Sequence, residues 1–204
     1  MKKILVFATL LLLTSLSAYA QDDFPKFELS GMAAMQVFDI DVLDNETMWG
    51  YGVGAQYNLN QYFGIVGEWA ATHGESGPYS LAQGGQIYYI PKLDTRVQTL
   101  LFGPRVSYRA KPVTVFGHVL LGAGTTKLDD DIGEFNYNSY TAWQFAMAIG
   151  GGVVINLGKN FAIRPAQLDY VVIDSDFQDL ESAAGAGPGM FHNLRYQLGA
   201  VFKF

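Results

Sequence analysis

The chain has 204 residues, of which 50% are hydrophobic and 14% aromatic, with 23 glycines and no cysteine. Its formal net charge is −6 at pH 7, and this acidic balance argues against nucleic acid as a partner, because phosphate backbones bind basic clusters. The length suits one domain, the lack of cysteine excludes a disulfide framework, and no stretch after residue 20 is apolar for long enough to predict a membrane helix.

The first 20 residues have the three parts of a secretory signal peptide. Residues 1–3 include two lysines, residues 4–13 are an apolar run, and residues 18–20 form an A-x-A cleavage site. The apolar run is too short to span a membrane. We therefore predict a signal peptide at residues 1–20, cleaved before Gln21, and one folded domain at residues 21–204.

Eight segments after the leader alternate between apolar and polar or small residues, the pattern of a β-strand. They are residues 27–38, 49–59, 63–71, 98–109, 113–125, 143–156, 161–172 and 191–204. In the fifth segment both faces are apolar or small, so its facing stays open. Short turns alternate with long connections, predicted at residues 39–47, 72–95, 126–140 and 173–190.

The last strand is the most informative segment. One face is apolar, and the other carries mostly polar or small residues, among them Gln197 and Gly199. A strand that ends in Phe202 and Phe204 in this pattern resembles the closing strand of bacterial outer-membrane β-barrels, whose apolar side chains face lipid. We interpret Gln197, Gly199, Phe202 and Phe204 as the assembly signal of that class.

Three further motifs extend the resemblance. They are Gly103-Pro104-Arg105, Arg164-Pro165-x-Gln167-x-Asp169-Tyr170 and Asn193-Leu194-Arg195 followed by Gly199. Over residues 24–204 the chain resembles the eight-stranded outer-membrane barrels that include the OmpA-type transmembrane domain, without a peptidoglycan-binding domain. This resemblance implies an all-β fold, an eight-stranded antiparallel up-and-down transmembrane β-barrel at residues 21–204, in the outer membrane of a Gram-negative cell.

The strand parity also predicts a polar network in the lumen. An eight-stranded barrel is filled by its own side chains, and buried charges are costly unless they are paired. The inward positions are Glu68, Arg105, Arg164, Arg195 and Gln197, and Asp169 joins them if Pro165 marks a β-bulge. We expect Glu68 and Asp169 to pair with the three arginines. The network either closes the barrel or, as an alternative, gates a narrow ion path.

The remaining sequence motifs do not predict a metal site, a cofactor site or a catalytic site. The acidic run Asp174-x-Asp176-x-x-Asp179 lacks the glycine turn and the distal glutamate of a calcium loop, so the acidic loops are interpreted as solvated and no metal site is predicted. The glycine clusters fail the nucleotide-binding motifs, so no cofactor is predicted. Nothing fixes a spacing between a nucleophile and His73 or His192, and His118 is interpreted as an aromatic-like filler on a strand face. We therefore expect no enzyme.

The sequence thus favours an integral outer-membrane barrel with a structural or surface-interaction role, a polar plugged lumen and acidic extracellular loops. The alternatives are a narrow channel or transporter for ions or small apolar solutes, a lipid A-modifying enzyme, and a secreted lipocalin-like carrier with its apolar face inward. The expected partners are outer-membrane lipid and lipopolysaccharide, the barrel-assembly machinery and periplasmic chaperones. We expect a monomer.

Overall fold

The computed structural model describes residues 24–40, 43–76, 79–83, 86–90, 93–130, 143–175 and 189–204. The predicted signal peptide lies outside these residues, as do most of the predicted connections at residues 126–140 and 173–190. No helix long and apolar enough to cross a membrane occurs in these ranges.

The described residues form ten strands. They are β1 (Phe27–Ile40), β2 (Leu43–Asn58), β3 (Phe63–Ser76), β4 (Tyr79–Gln83), β5 (Gln86–Ile90), β6 (Leu93–Ala110), β7 (Val113–Asp130), β8 (Gln144–Asn156), β9 (Phe161–Ser175) and β10 (Gly189–Lys203). Eight of them close a barrel in the order β1-β10-β9-β8-β7-β6-β3-β2. Every pairing in the barrel is antiparallel, which confirms the predicted fold class.

Two predicted connections are wrong. Residues 39–47 belong mostly to β1 and β2, which pair as far as Ile40 opposite Leu43. Residues 72–95 contain the separate hairpin β4–β5, while β3 and β6 pair as far as Ser76 opposite Leu93. The apolar alternation marks only the part of a strand that faces lipid, whereas the backbone ladder continues beyond it. The strands predicted from the sequence pattern are therefore too short at the end where these connections lie.

The apolar face of each barrel strand points outwards. On β2, Trp49, Tyr51 and Val53 are 62%, 59% and 52% exposed, and the glycines between them are turned inwards. The facing of β7, which the sequence left open, is now clear, because Phe116 is buried inside and Val115 is exposed outside. Apolar side chains outside and polar ones inside are the arrangement of a membrane barrel, opposite to that of a lipocalin.

A β-bulge interrupts β9 at Pro165. On one side, Gln197 pairs with Gln167 and Gly199 with Arg164, so one residue of β10 lies opposite two of β9. The pairing with β8 shifts at the same place. The extra residue reverses which positions face the lumen, and therefore both Arg164 and Asp169 point inwards. The bulge that Pro165 predicted is present.

The two ends of the barrel differ. At one end lie the short connections from β2 to β3, from β6 to β7 and from β8 to β9, together with Phe27 at the start of β1 and Lys203 at the end of β10. We call this the turn end and the opposite one the loop end. In outer-membrane barrels the short turns are periplasmic and the longer loops extracellular.

Candidate functional site in the barrel lumen

The six residues predicted for the lumen network lie inside the barrel. Each is at most 3% exposed, and the set is Glu68, Arg105, Arg164, Asp169, Arg195 and Gln197. They come from β3, β6, β9 and β10, so the network joins strands on different sides of the barrel.

Arg195 connects the two buried carboxylates. Its Nη2 donates to Glu68 Oε1 at 3.1 Å and to Asp169 Oδ2 at 3.3 Å, and its Nη1 donates to Thr99 Oγ1 at 3.0 Å. One guanidinium therefore holds β3, β6 and β9 against β10. In a water-poor lumen such charge-assisted bonds are strong, and loss of one partner leaves a buried charge unpaired.

Gln167 is a second centre that the sequence-based prediction did not include. Its Nε2 lies 2.8 Å from Asp169 Oδ2, 2.7 Å from Gln197 Oε1 and 3.1 Å from Glu68 Oε2, and its Oε1 accepts a bond from Arg164 Nη1 at 2.8 Å. Gln167 shares the inward face with Asp169 once the bulge is counted. The sequence did contain a signal for Gln167: it lies two positions before Asp169 and so faces the same side of the strand after a bulge at Pro165.

His118 is a network member, so its interpretation as an aromatic-like filler is wrong. Arg105 Nη2 lies 3.0 Å from His118 Nδ1, and His118 Nε2 lies 2.8 Å from Asp169 Oδ1. A guanidinium can only donate, so Nδ1 must accept and Nε2 must carry the proton that is donated to Asp169. These contacts hold His118 as a neutral imidazole. Arg105 Nη1 also donates to Gln56 Oε1 at 2.7 Å.

Gly150 on β8 makes the room that this arrangement needs. A Cβ at Gly150 would lie 2.2 Å from Asp169 Oδ1 and 2.3 Å from the carbonyl oxygen of Leu168. Residues with a side chain cannot approach so closely, and the carboxylate could not keep its bond to His118 beside one. The small residues of β8 thus shape the lumen as directly as the charged ones do.

The expected pairing of all three arginines with carboxylates is wrong in part. Of the three arginines, only Arg195 forms an ion pair with Glu68 or Asp169 in the described part of the chain. The Arg105 and Arg164 guanidinium groups lie 4.1 Å and 5.1 Å from the centre of the Phe116 ring. A guanidinium over an aromatic face is stabilised by the ring quadrupole, an arrangement that strand parity does not reveal.

A second polar cluster lies at the turn end. Arg109 Nη2 donates to Glu28 Oε1 at 3.1 Å and to Asn58 Oδ1 at 2.9 Å, and Asn58 Nδ2 donates to Glu28 Oε1 at 2.9 Å. Lys203 Nζ donates to Asn156 Oδ1 in the same region. This cluster is a further set of lumen residues that the sequence-based prediction missed.

An apolar cluster fills the lumen on the other side of the network, mostly towards the loop end. Its members are Met48, Val66, Val97, Leu101, Leu120, Ala146, Ala148, Val171 and Ile173, all at most 2% exposed. They come from six of the eight barrel strands. On β7 and β9, Leu120 and Val171 follow the network residues His118 and Asp169 along the inward face. The lumen is therefore largely apolar towards the loop end, where buried polar side chains such as Gln36 and Thr99 also lie.

The remaining predicted residues lie on the outer wall. Phe202 and Phe204 are 51% and 66% exposed, and Gly199 lies against the backbone of β1, where a Cβ would be 2.0 Å from Gly31 O. Their role as an assembly signal stays a prediction. His73 and His192 are also exposed, on strands separated by β1 and β2. Within the described ranges, no three acidic, histidine or cysteine side chains are grouped to hold a metal ion.

Comparison with known proteins agrees with this architecture. The crystal structure of Ail, the attachment invasion locus protein of Yersinia pestis, matches with a TM-score of 0.56 and 20% identity over 89% of this chain and 99% of that one. Neisserial surface protein A matches with a TM-score of 0.62 and 11% identity, over 88% and 97% of the two chains. OprG from Pseudomonas aeruginosa matches with a TM-score of 0.54 and 12% identity, over 89% and 96%. At such identities the likeness shows the fold alone.

A search among curated protein sequences finds no significant match. The family model of the outer membrane protein beta-barrel domain, however, matches residues 6–204. The apolar outer wall, the closed antiparallel barrel and this match lead to one conclusion: the chain belongs to the outer membrane protein β-barrel family and is a protein of the outer membrane.

Proposed function

We propose that this protein is a closed, non-conducting barrel that serves the outer membrane through its structure and its surface contacts. The observation that carries the proposal is the apolar cluster in the lumen, whose members, from Met48 on β2 to Ile173 on β9, come from six strands. An ion that reached these apolar side chains would lose part of its hydration without gaining polar partners from them, which is costly. The Arg195 network beneath it ties the strands together and supports a rigid, plugged lumen.

Single-channel recording from the refolded protein in a planar bilayer tests the closed lumen. We expect no steady current from the wild type, with folding checked by the heat-dependent shift in gel mobility. The double substitution Leu101→Ser and Leu120→Ser places hydroxyl groups in the apolar cluster and should produce current. A steady wild-type current would contradict the proposal and favour the narrow channel.

The outer wall supports contact with a phosphate-bearing lipid, such as lipopolysaccharide. Among the described strand residues, Arg96 and Lys127 are the arginine and lysine that point outwards, and they lie directly opposite each other on β6 and β7. His73 lies opposite Arg96 on β3, and Trp49 lies opposite His73 on β2. We call His73, Arg96 and Lys127 the basic row.

The residues around the basic row support its position at the level of the lipid phosphates. Exposed tryptophans form girdles at the membrane–water boundary, and Trp49 and Trp143 flank the row on β2 and at the start of β8. Glu75 and Asp94 oppose each other two residues further towards the loop end, so acidic groups lie beyond the row. A phosphate group at the membrane edge would therefore meet the basic row first.

The proposed role includes no catalysis, since the three histidines of the chain do not share a site. For biogenesis, the alternation along β10 supports insertion by the barrel-assembly machinery after delivery by periplasmic chaperones. A closed barrel with no unpaired strand edge supports a monomer.

A further inference from the structure

A small pocket opens at the turn end of the barrel. Arg105, Arg109, Lys203, Glu28 and Phe116 are among the residues that line it. Its volume of about 10 Å³ is room for about one water molecule or one small ion. The pocket is separate from the basic row on the outer wall and lies on the opposite side of the polar network from the apolar cluster.

The charges around this pocket do not balance. Three cationic side chains line it, and Glu28 is the one carboxylate among its described lining residues. The Glu28 carboxylate is already bonded to Arg109 Nη2 at 3.1 Å and to Asn58 Nδ2 at 2.9 Å. Among the described lining residues, Arg105 and Lys203 therefore make no hydrogen bond to a carboxylate.

The bonds that Arg105 and Lys203 do make are to neutral groups. Arg105 donates to Gln56 and to the neutral ring of His118, while its buried Nε has no hydrogen-bond partner. Lys203 donates to the amide oxygen of Asn156. Neutral acceptors satisfy donors, but they leave the positive charge itself uncompensated.

The carboxylates of the deeper lumen act on the pocket only from a distance. Arg164 lies on the Phe116 ring together with Arg105, which adds positive charge next to the pocket. Glu68 and Asp169 are both bonded to Arg195. A buried charge without a counter-charge is strongly destabilising, so an anion that enters the pocket from solvent would gain a large electrostatic stabilisation.

We propose that the turn-end pocket is a binding site for a small inorganic anion of the halide class, with chloride as the physiological example. Arg105, Arg109 and Lys203 provide the charge, and Phe116 closes the pocket on the lumen side. The small volume of the pocket favours a monatomic anion over phosphate or an organic carboxylate. Bound anion stabilises the closed barrel, because it compensates charges that folding brings together.

Thermal unfolding of the refolded protein in a non-ionic detergent, followed by circular dichroism, provides the first measurement. Chloride replaces the larger anion gluconate at constant ionic strength. We expect the unfolding midpoint of the wild type to rise with chloride and to saturate. Lys203→Met should lose most of this dependence, whereas Lys159→Met, at an exposed lysine of the turn between β8 and β9, should keep it.

Glu28→Gln provides an independent variant, because it keeps a side chain that can bond Arg109 and removes the competing negative charge. We expect it to reach half-saturation at a several-fold lower chloride concentration than the wild type. Crystals grown in bromide should show an anomalous peak in the pocket. Equal chloride dependence in wild type, Lys203→Met and Glu28→Gln, or an empty pocket in bromide, would overturn the proposal.

Discussion

Individual residues in this lumen act through contacts that cross the barrel. Glu68 is 2% exposed and bonds both Arg195 and Gln167 from a strand on the far side of the network. Such contacts link strands far apart in the chain, since Glu68 and Arg195 are 127 residues apart. The network therefore stabilises the closed barrel as a whole, beyond the pairing of neighbouring strands.

Glu68→Ala should be strongly destabilising. It removes one of two carboxylates from Arg195 and leaves the guanidinium partly unpaired in the lumen, at a cost of about 3–5 kcal/mol. Urea unfolding in detergent micelles measures this free energy. Glu75→Ala, at an exposed glutamate on the same strand, is the control and should change stability by about 1 kcal/mol or less, because exposed charged contacts contribute little. Equal stability of the two variants would show that the network contributes nothing.

Gly150→Ala tests the close approach of β8 to Asp169. The added Cβ would lie 2.2 Å from Asp169 Oδ1 and 2.3 Å from a backbone oxygen, so we expect a loss of about 1–3 kcal/mol. Gly31→Ala is the matched control, because nothing lies within 4 Å of the Cβ that it would add. The same urea titration compares them, and a Gly150→Ala barrel as stable as Gly31→Ala would contradict the close packing.

At the scale of elements, the register between strands decides which residues meet. The bulge at Pro165 brings Arg164 and Asp169 to the same face although they are five positions apart, an odd spacing that would put them on opposite faces of a regular strand. On the outer wall, the pairing of β3, β6 and β7 places His73, Arg96 and Lys127 in one row from three separate segments. Neither arrangement can be read from one strand alone.

Substitution of Arg96 and Lys127 by glutamine should weaken the preference of the barrel for phosphorylated lipid. A basic residue near an anionic surface contributes about 1 kcal/mol, so two substitutions should reduce the preference roughly 25-fold. Energy transfer from tryptophan to dansyl-labelled lipid A in phosphatidylcholine nanodiscs measures it. The charge-matched control replaces Lys111 and Lys159, both exposed in turns of the turn end. An equal preference in both double variants would exclude the basic row as the lipid contact.

At the scale of the whole molecule, the barrel is inverted relative to a soluble protein. Its outer wall exposes large apolar side chains such as Leu121 and Phe145, at 50% and 55%, while charged residues are buried inside. This inversion is stable only where lipid covers the wall, which agrees with membership of the outer-membrane family.

Lipid contact of the wall predicts quenching of the tryptophan fluorescence. Trp49 and Trp143 are 62% and 52% exposed, and Trp69 points to the same side of the wall. Lipids brominated along their acyl chains should quench Trp69, in the middle of the wall, more strongly than the other two, measured on variants that keep one tryptophan each. Emission unaffected by brominated lipid would contradict the outward facing of the aromatic face.

The sequence by itself determined the presence of eight barrel strands, the outward apolar face of all of them except β7, and the inward position of the charged residues predicted for the lumen. Each of these depends on a local alternation between neighbouring positions, which lipid on one side and a narrow lumen on the other impose on every strand. The bulge was also predictable, because proline lacks the backbone donor that a ladder requires.

Only the tertiary structure decided which inward residues bind each other. Arg195 contacts both carboxylates, Arg105 contacts His118, and Gln167 joins the network, because the tilt and register of the closed barrel set the distances across its lumen. The turn-end pocket, the apolar cluster and the basic row have the same origin. A single strand specifies which side a residue faces, whereas its partner is specified by strands that lie far away in the chain.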